Sequence, residues 1–124
     1  MHARIAKVDE ALGVVFGWAI VSEIDGQPYF DLQGDHIPEG TMLKAAAEFM
    51  AGDRPARIMH GTADGRIVFA FPLTKEIASA MGVEVNQTGL MIGLKPDDPA
   101  TLKRFASGEF SGFSIGGTAT RRAA

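Results

Sequence analysis

Ser114 and His60 are the residues whose types and settings best suit acyl transfer, among five serines and three histidines in 124 residues. Ser114 lies in Gly112-Phe113-Ser114-Ile115-Gly116-Gly117. Side chains alternate faces along a strand, so Phe113 and Ile115 are expected to point one way and Ser114 the other. The flanking glycines lack Cβ atoms, which lets another backbone or a substrate approach the hydroxyl. The plainer reading is a strand serine beside a bulge, and the strand-to-helix context of a nucleophile elbow is missing. His60 ends an expected strand and precedes Gly61, where a strand meets a loop. An imidazole there can act as a general base if the serine oxygen lies ~2.6–3.2 Å away. The plainer alternative is a half-exposed loop histidine.

Asp31-Leu32-Gln33-Gly34-Asp35-His36 is polar and carries a glycine, so it reads as a loop. His36 is there either a third member of a site or a bystander. His2 is expected to be a mobile terminal residue. Asp31, Asp35, His36 and His60 have the atom types of metal ligands, but no His-Glu-x-x-His or calcium-loop spacing occurs. Gly116-Gly117 precedes no helix or lysine in the order a phosphate loop needs. Neither a metal nor a cofactor is expected.

These residues must be placed by the elements around them. Residues 3–22 read as strand, rich in β-branched and aromatic side chains, with Gly13 and Gly17 marking a bend or bulge. Asp25-Gly26 is a turn, and Pro28-Tyr29-Phe30 resumes extended chain. Thr41 is expected to cap a helix over 41–51 that buries Met42, Ala46, Phe49 and Met50 and stops at Gly52. Strands follow at 56–60 and 66–72, joined through Asp64-Gly65. A short helix over 74–81, a strand at 88–95, a helix at 98–107 opened by Asp98-Pro99 and a last strand at 110–119 complete the chain. Trp18, Phe16, Phe69, Phe71, Ile92, Leu94, Leu102 and Phe105 are the expected core. About six strands with three short helices predict an α+β fold, a mostly antiparallel barrel or sheet with helices on its flanks.

Composition bounds the function classes. The length suits a single domain over 1–124, able to bury roughly two-thirds of its unfolded surface without staples. The chain has no cysteine, which excludes disulfides, thiolate metal sites and a cysteine nucleophile. Its formal charge is −3, and Arg121-Arg122 is the one basic cluster, so no nucleic-acid partner is expected. No apolar run approaches the ~20 residues of a membrane span. The start alternates in character, which argues against a signal peptide and for the cytosol.

Four segments in order then resemble a known family: Gly17-Trp18-Ala19, Asp31-Leu32-Gln33-Gly34-Asp35-His36-Ile37, Met59-His60-Gly61 and Gly112-Phe113-Ser114-Ile115-Gly116-Gly117. Together they are similar to the XkdF-type phage serine proteases, relatives of the prohead maturation proteases of tailed phages and, beyond them, of the herpesvirus capsid protease assemblin. The resemblance spans about residues 12–120. It implies an assemblin-like β-barrel flanked by helices, with Ser114 as nucleophile and His60 as base on neighbouring strands. It further implies a serine endopeptidase that cleaves scaffold and major capsid protein, and often itself, inside the procapsid assembling in the host cytoplasm.

Herpesvirus relatives use a second histidine beyond the serine, whereas no histidine follows His60 here. Three ways remain to complete the site: an upstream acid orients His60, a dyad suffices, or the chain is a piece of a longer protein. Asp35 is the expected acid, with Asp31 and Asp64 competing; an acid ahead of the base in chain order is chemically unobjectionable. Assemblin relatives dimerise, which leaves a homodimer open. The rival readings are an inactive fold relative serving as a head-assembly module, and a small barrel that binds a ligand without chemistry.

Overall fold

The opening apolar run folds as a hairpin rather than as one strand. β1 (His2–Asp9) and β2 (Val14–Ile24) pair antiparallel, and the Gly13 N–H closes the turn on the Asp9 carbonyl at 2.9 Å. Gly17 lies within β2, opposite the register irregularity between Ile5 and Lys7 of β1, so it marks a bulge and not a bend. A Cβ there would sit 2.8 Å from the Arg4 carbonyl oxygen, so the bare backbone lets β1 approach. His2 belongs to β1, which corrects the expectation of a mobile terminal residue. This computed structural model describes residues 2–51, 65–114 and 119–121. The expected strand 56–60, with His60, and Asp64 lie outside them.

The chain continues through β3 (Gln27–Pro28), α1 (Glu39–Ala51), β4 (Arg66–Leu73), α2 (Lys75–Ala80), β5 (Gln87–Lys95), α3 (Pro99–Ala106), β6 (Phe110–Ser114) and β7 (Ala119–Arg121). Two caps behave as their residue types dictate. Thr74 accepts the Ile77 N–H at 3.0 Å, and Asp98 accepts the Ala100 N–H at 2.9 Å with Pro99 in the first turn. Helix α1 departs from expectation. It begins two residues before Thr41, and the Met42 N–H donates to the Pro38 carbonyl at 2.9 Å, so Thr41 lies inside the first turn. The expected last strand is two strands, β6 and β7, paired antiparallel.

All the pairings are antiparallel, in the order β4-β5-β2-β1-β6-β7, with β3 added to the end of β2. Among the described residues no pairing joins β4 to β7, so the sheet is an open path. The fold is α+β, an open antiparallel sheet with three helices.

One face of the sheet is closed. Met42 and Ala46 of α1 and Phe105 of α3 pack on Ala3, Val15, Ile20, Ile67, Leu90, Ile92, Leu94, Phe110 and Phe113 to form the core. Phe105 meets Phe110 and Phe113 edge-on, with centroids 5.2 and 6.0 Å apart. The expected core is therefore half right. Ile92, Leu94 and Phe105 are buried and Leu102 packs against them, but Phe69 and Phe71 are 39% and 42% exposed. Phe16 and Trp18 are only half-buried. For Phe69 and Phe71 the cause is a register irregularity between Ile67 and Phe69. Without it Ile67 and Phe69 would share a face; with it, Ile67 enters the core while Phe69 turns away from it.

Candidate functional site

Position 114 is fixed by β-pairing, not by a loop. β6 pairs with β1 so that Gly112 stands opposite Arg4, Phe113 opposite Ala3 and Ser114 opposite His2, without irregularity. Ala3 and Phe113 are both fully buried in the core. Strand alternation then assigns the next pair, positions 2 and 114, to the opposite face, the one away from α1 and α3. Gly112-Phe113-Ser114-Ile115-Gly116 has Gly-x-Ser-x-Gly spacing, yet Ser114 is in a strand and the next described element is strand β7. It is not a nucleophile elbow, which needs a helix to follow.

The face that carries position 114 continues across the sheet through paired positions. Arg4 is opposite Trp18, Trp18 opposite Met91 and Met91 opposite Phe71; one row along, Phe16, Gly93 and Phe69 are in line. Phe16 and Phe69 stack with centroids 5.8 Å apart, and Phe69 and Phe71 at 6.1 Å. Position 114 and the aromatic row thus lie on the sheet face that neither α1 nor α3 covers among the described residues.

The Asp31–Asp35 motif is a self-closed turn. One Asp31 carboxylate oxygen accepts the N–H groups of Gln33 and Asp35, both at 2.9 Å. The Asp31 N–H donates to the Asp35 carbonyl, and the Gly34 N–H to the Asp31 carbonyl, again at 2.9 Å. Gly34 takes φ 81°, a left-handed conformation that favours glycine. These bonds account for Asp31 and Gly34 of the motif as loop chemistry, while Asp35 joins through its backbone. Asp31 and Asp35 are exposed, and the described contacts of Asp35 are those of its backbone.

His36 leaves that turn with a defined position. Its Nδ1 lies 3.0 Å from the Tyr29 carbonyl oxygen, and its half-buried ring tilts against Phe30 at 5.5 Å. A carbonyl can only accept, so Nδ1 is the donor in this contact. The Tyr29 N–H in turn donates to the Ser22 carbonyl at 3.0 Å, which ties the loop to the end of β2.

The structure thus gives Ser114 a strand, a partner strand and a face, and gives Asp35 a loop. His60 lies outside the described residues, so the Ser114–His60 pairing is not among the contacts described. The register of residue 2 opposite residue 114 comes from pairing between segments far apart in the sequence, and no local pattern could have signalled it. A shallow cavity of about 560 Å³ lies along α2 and the turn after it, lined by Lys75, Ala78, Ser79, Gly82 and Val83 among others. It contains none of the candidate site residues.

No curated protein and no solved structure is significantly similar to the chain. A family model does match it, over residues 3–123, a span that includes Ser114, His60 and Asp35. The chain therefore belongs to the family described as "Putative phage serine protease XkdF".

Proposed function

We propose that this protein is a serine endopeptidase of phage head maturation, with Ser114 as nucleophile, His60 as general base and Asp35 as the acid that orients His60. The observation that carries the reading is the family match over nearly the whole chain, which includes both the serine and the histidine. The placement of Ser114 supports it. A strand between β1 and β7 holds the backbone of a nucleophile rigidly.

The chemistry follows from the roles. Neutral His60 takes the Ser114 proton as the hydroxyl oxygen bonds to a peptide carbonyl carbon. The imidazolium returns that proton to the leaving amine as the C–N bond breaks, and water then hydrolyses the acyl-enzyme. Backbone N–H groups at the oxyanion contribute about 3–4 kcal/mol of transition-state stabilisation. Scaffold and the N-terminal segment of the major capsid protein are the substrates, met inside the procapsid in the host cytoplasm. Confinement there raises their local concentration, so modest affinity is adequate. The same reading extends the sheet towards an assemblin-like barrel.

The test is a serine-reactive phosphonate together with scaffold co-expression. Wild type and Ser111→Ala should label and cut, while Ser114→Ala should fold but do neither. Labelling that survives Ser114→Ala and disappears with Ser111→Ala moves the nucleophile. A wild type that neither labels nor cuts scaffold makes the protein an inactive head-assembly module.

A further inference from the structure

Two separate parts of the molecule carry exposed apolar side chains with charges of opposite sign. The first is the sheet face away from α1 and α3, where Phe16, Phe69 and Phe71 stack in a row. Ala3, Ile67 and Leu94 belong to the core, so alternation puts Arg4, Arg66 and Lys95 on this other face, and Lys7 joins them opposite Phe16. The Lys95 Nζ donates to the Leu12 carbonyl at 2.7 Å. Arg4, Lys7 and Arg66 are exposed, with no ion-pair partner among the described residues. Asp9, in the end row of the same face, turns its carboxylate to the Leu12 N–H at 3.0 Å.

The second part is the loop between β3 and α1. Leu32 is fully exposed there and Phe30 is 61% exposed. Asp31 and Asp35 of the same loop are exposed too. No lysine or arginine occurs between Lys7 and Lys44, a stretch that holds seven of the 15 acidic residues. All 12 basic residues therefore lie elsewhere in the chain, against the remaining eight acidic ones. A fully exposed leucine touches nothing in its own molecule, and the turn that presents it is already closed by its own hydrogen bonds, so binding needs little further ordering.

We propose that the chain self-associates by laying the Phe30–Leu32 loop of one copy on the aromatic sheet face of a second copy. Apolar side chains on both sides leave water in that contact. The loop aspartates meet Arg4, Lys7 and Arg66 of the other copy, a match of sign that selects loop against face over loop against loop. Every copy offers both halves, so the contact closes into a dimer when reciprocated about a two-fold axis and otherwise continues head to tail. It uses neither Ser114 nor His60 and stands whichever residue is the nucleophile.

Sedimentation velocity of the full chain from about 1 μM to 1 mM tests it. Wild type should rise above the monomer mass with concentration, and less steeply in about 0.5 M salt, which screens the charges. Leu32→Ala should weaken association about 10-fold. Asp35→Lys should weaken it, and so should Arg4→Glu combined with Lys7→Glu. An equimolar mixture of those two proteins should associate more tightly than either alone, because the reversed loop then meets the reversed face. Thermal melting checks each fold, and Lys7→Glu alone replaces the double variant if that one melts early. Wild type that stays monomeric throughout overturns the proposal, and its binding an oligothymidine through the aromatic face would assign that face to single strands instead. Variants that associate like wild type, or a mixture no tighter than its components, overturn it as well.

Discussion

The two faces of the sheet use similar side chains to different ends. On the helix-covered face, Val15, Leu90, Ile92, Leu94 and Phe113 are wholly withdrawn from water under Met42, Ala46 and Phe105. On the other face, Phe16, Phe69 and Phe71 stack in a row, yet Phe69 and Phe71 keep about two-fifths of their surface exposed. Burial scales with the area removed from water, so the first face supplies most of the stability. The second face is free to carry a site, and position 114 lies on it.

The sharpest way to break this comparison is at Phe113. Phe113→Ala should cost about 3–5 kcal/mol, because it opens a cavity between β6 and α3 that Phe105 cannot fill. Urea denaturation measures it, and a loss below about 1 kcal/mol would mean that the covered face is not the stabilising one. Phe71→Ala on the open face should cost far less, about 1 kcal/mol, since its ring already meets water and gives up mainly the stacking on Phe69. A cost equal to that of Phe113→Ala would show that something covers the aromatic row.

The smallest effect sharpens the account of the covered face itself. Ser22 and Thr88 are buried there, and their hydroxyls have no hydrogen-bond partner among the described residues. Thr88→Val keeps the shape and removes an unpaired hydroxyl, so it should be neutral or stabilise by up to about 1 kcal/mol. A clear destabilisation in the same denaturation experiment would mean that the Thr88 hydroxyl is paired after all.

Much of the secondary structure was legible because its signals are local. Asp98-Pro99 opens α3 and Thr74 caps α2, since each side-chain oxygen satisfies an N–H two or three residues away. The Asp31–Asp35 loop was legible as a loop for the same reason, but not as a closed turn whose bonds involve both aspartates. Thr41 misled: Ser and Thr favour caps on average, yet here the chain had already turned helical at Glu39. The aromatic row misled more. In Arg66-Ile67-Val68-Phe69-Ala70-Phe71 nearly every residue is apolar, so the period of two had no phase to reveal. The irregularity after Ile67 then swapped the faces.

The sequence by itself determined the helices at 74–81 and 98–107, the strands at 66–72 and 88–95, and a serine in a glycine-flanked strand, but not the turns that split 3–22 and 110–119 into two strands each. Those properties depend on neighbours a few residues apart. Tertiary structure decided which face of each strand meets α1 and α3, and therefore that Phe113 is core. It also decided that His2 stands opposite Ser114. Neither could be read locally, because a strand offers both of its faces and both of its edges alike. Only pairing with distant strands, and helices laid on one side, break that symmetry.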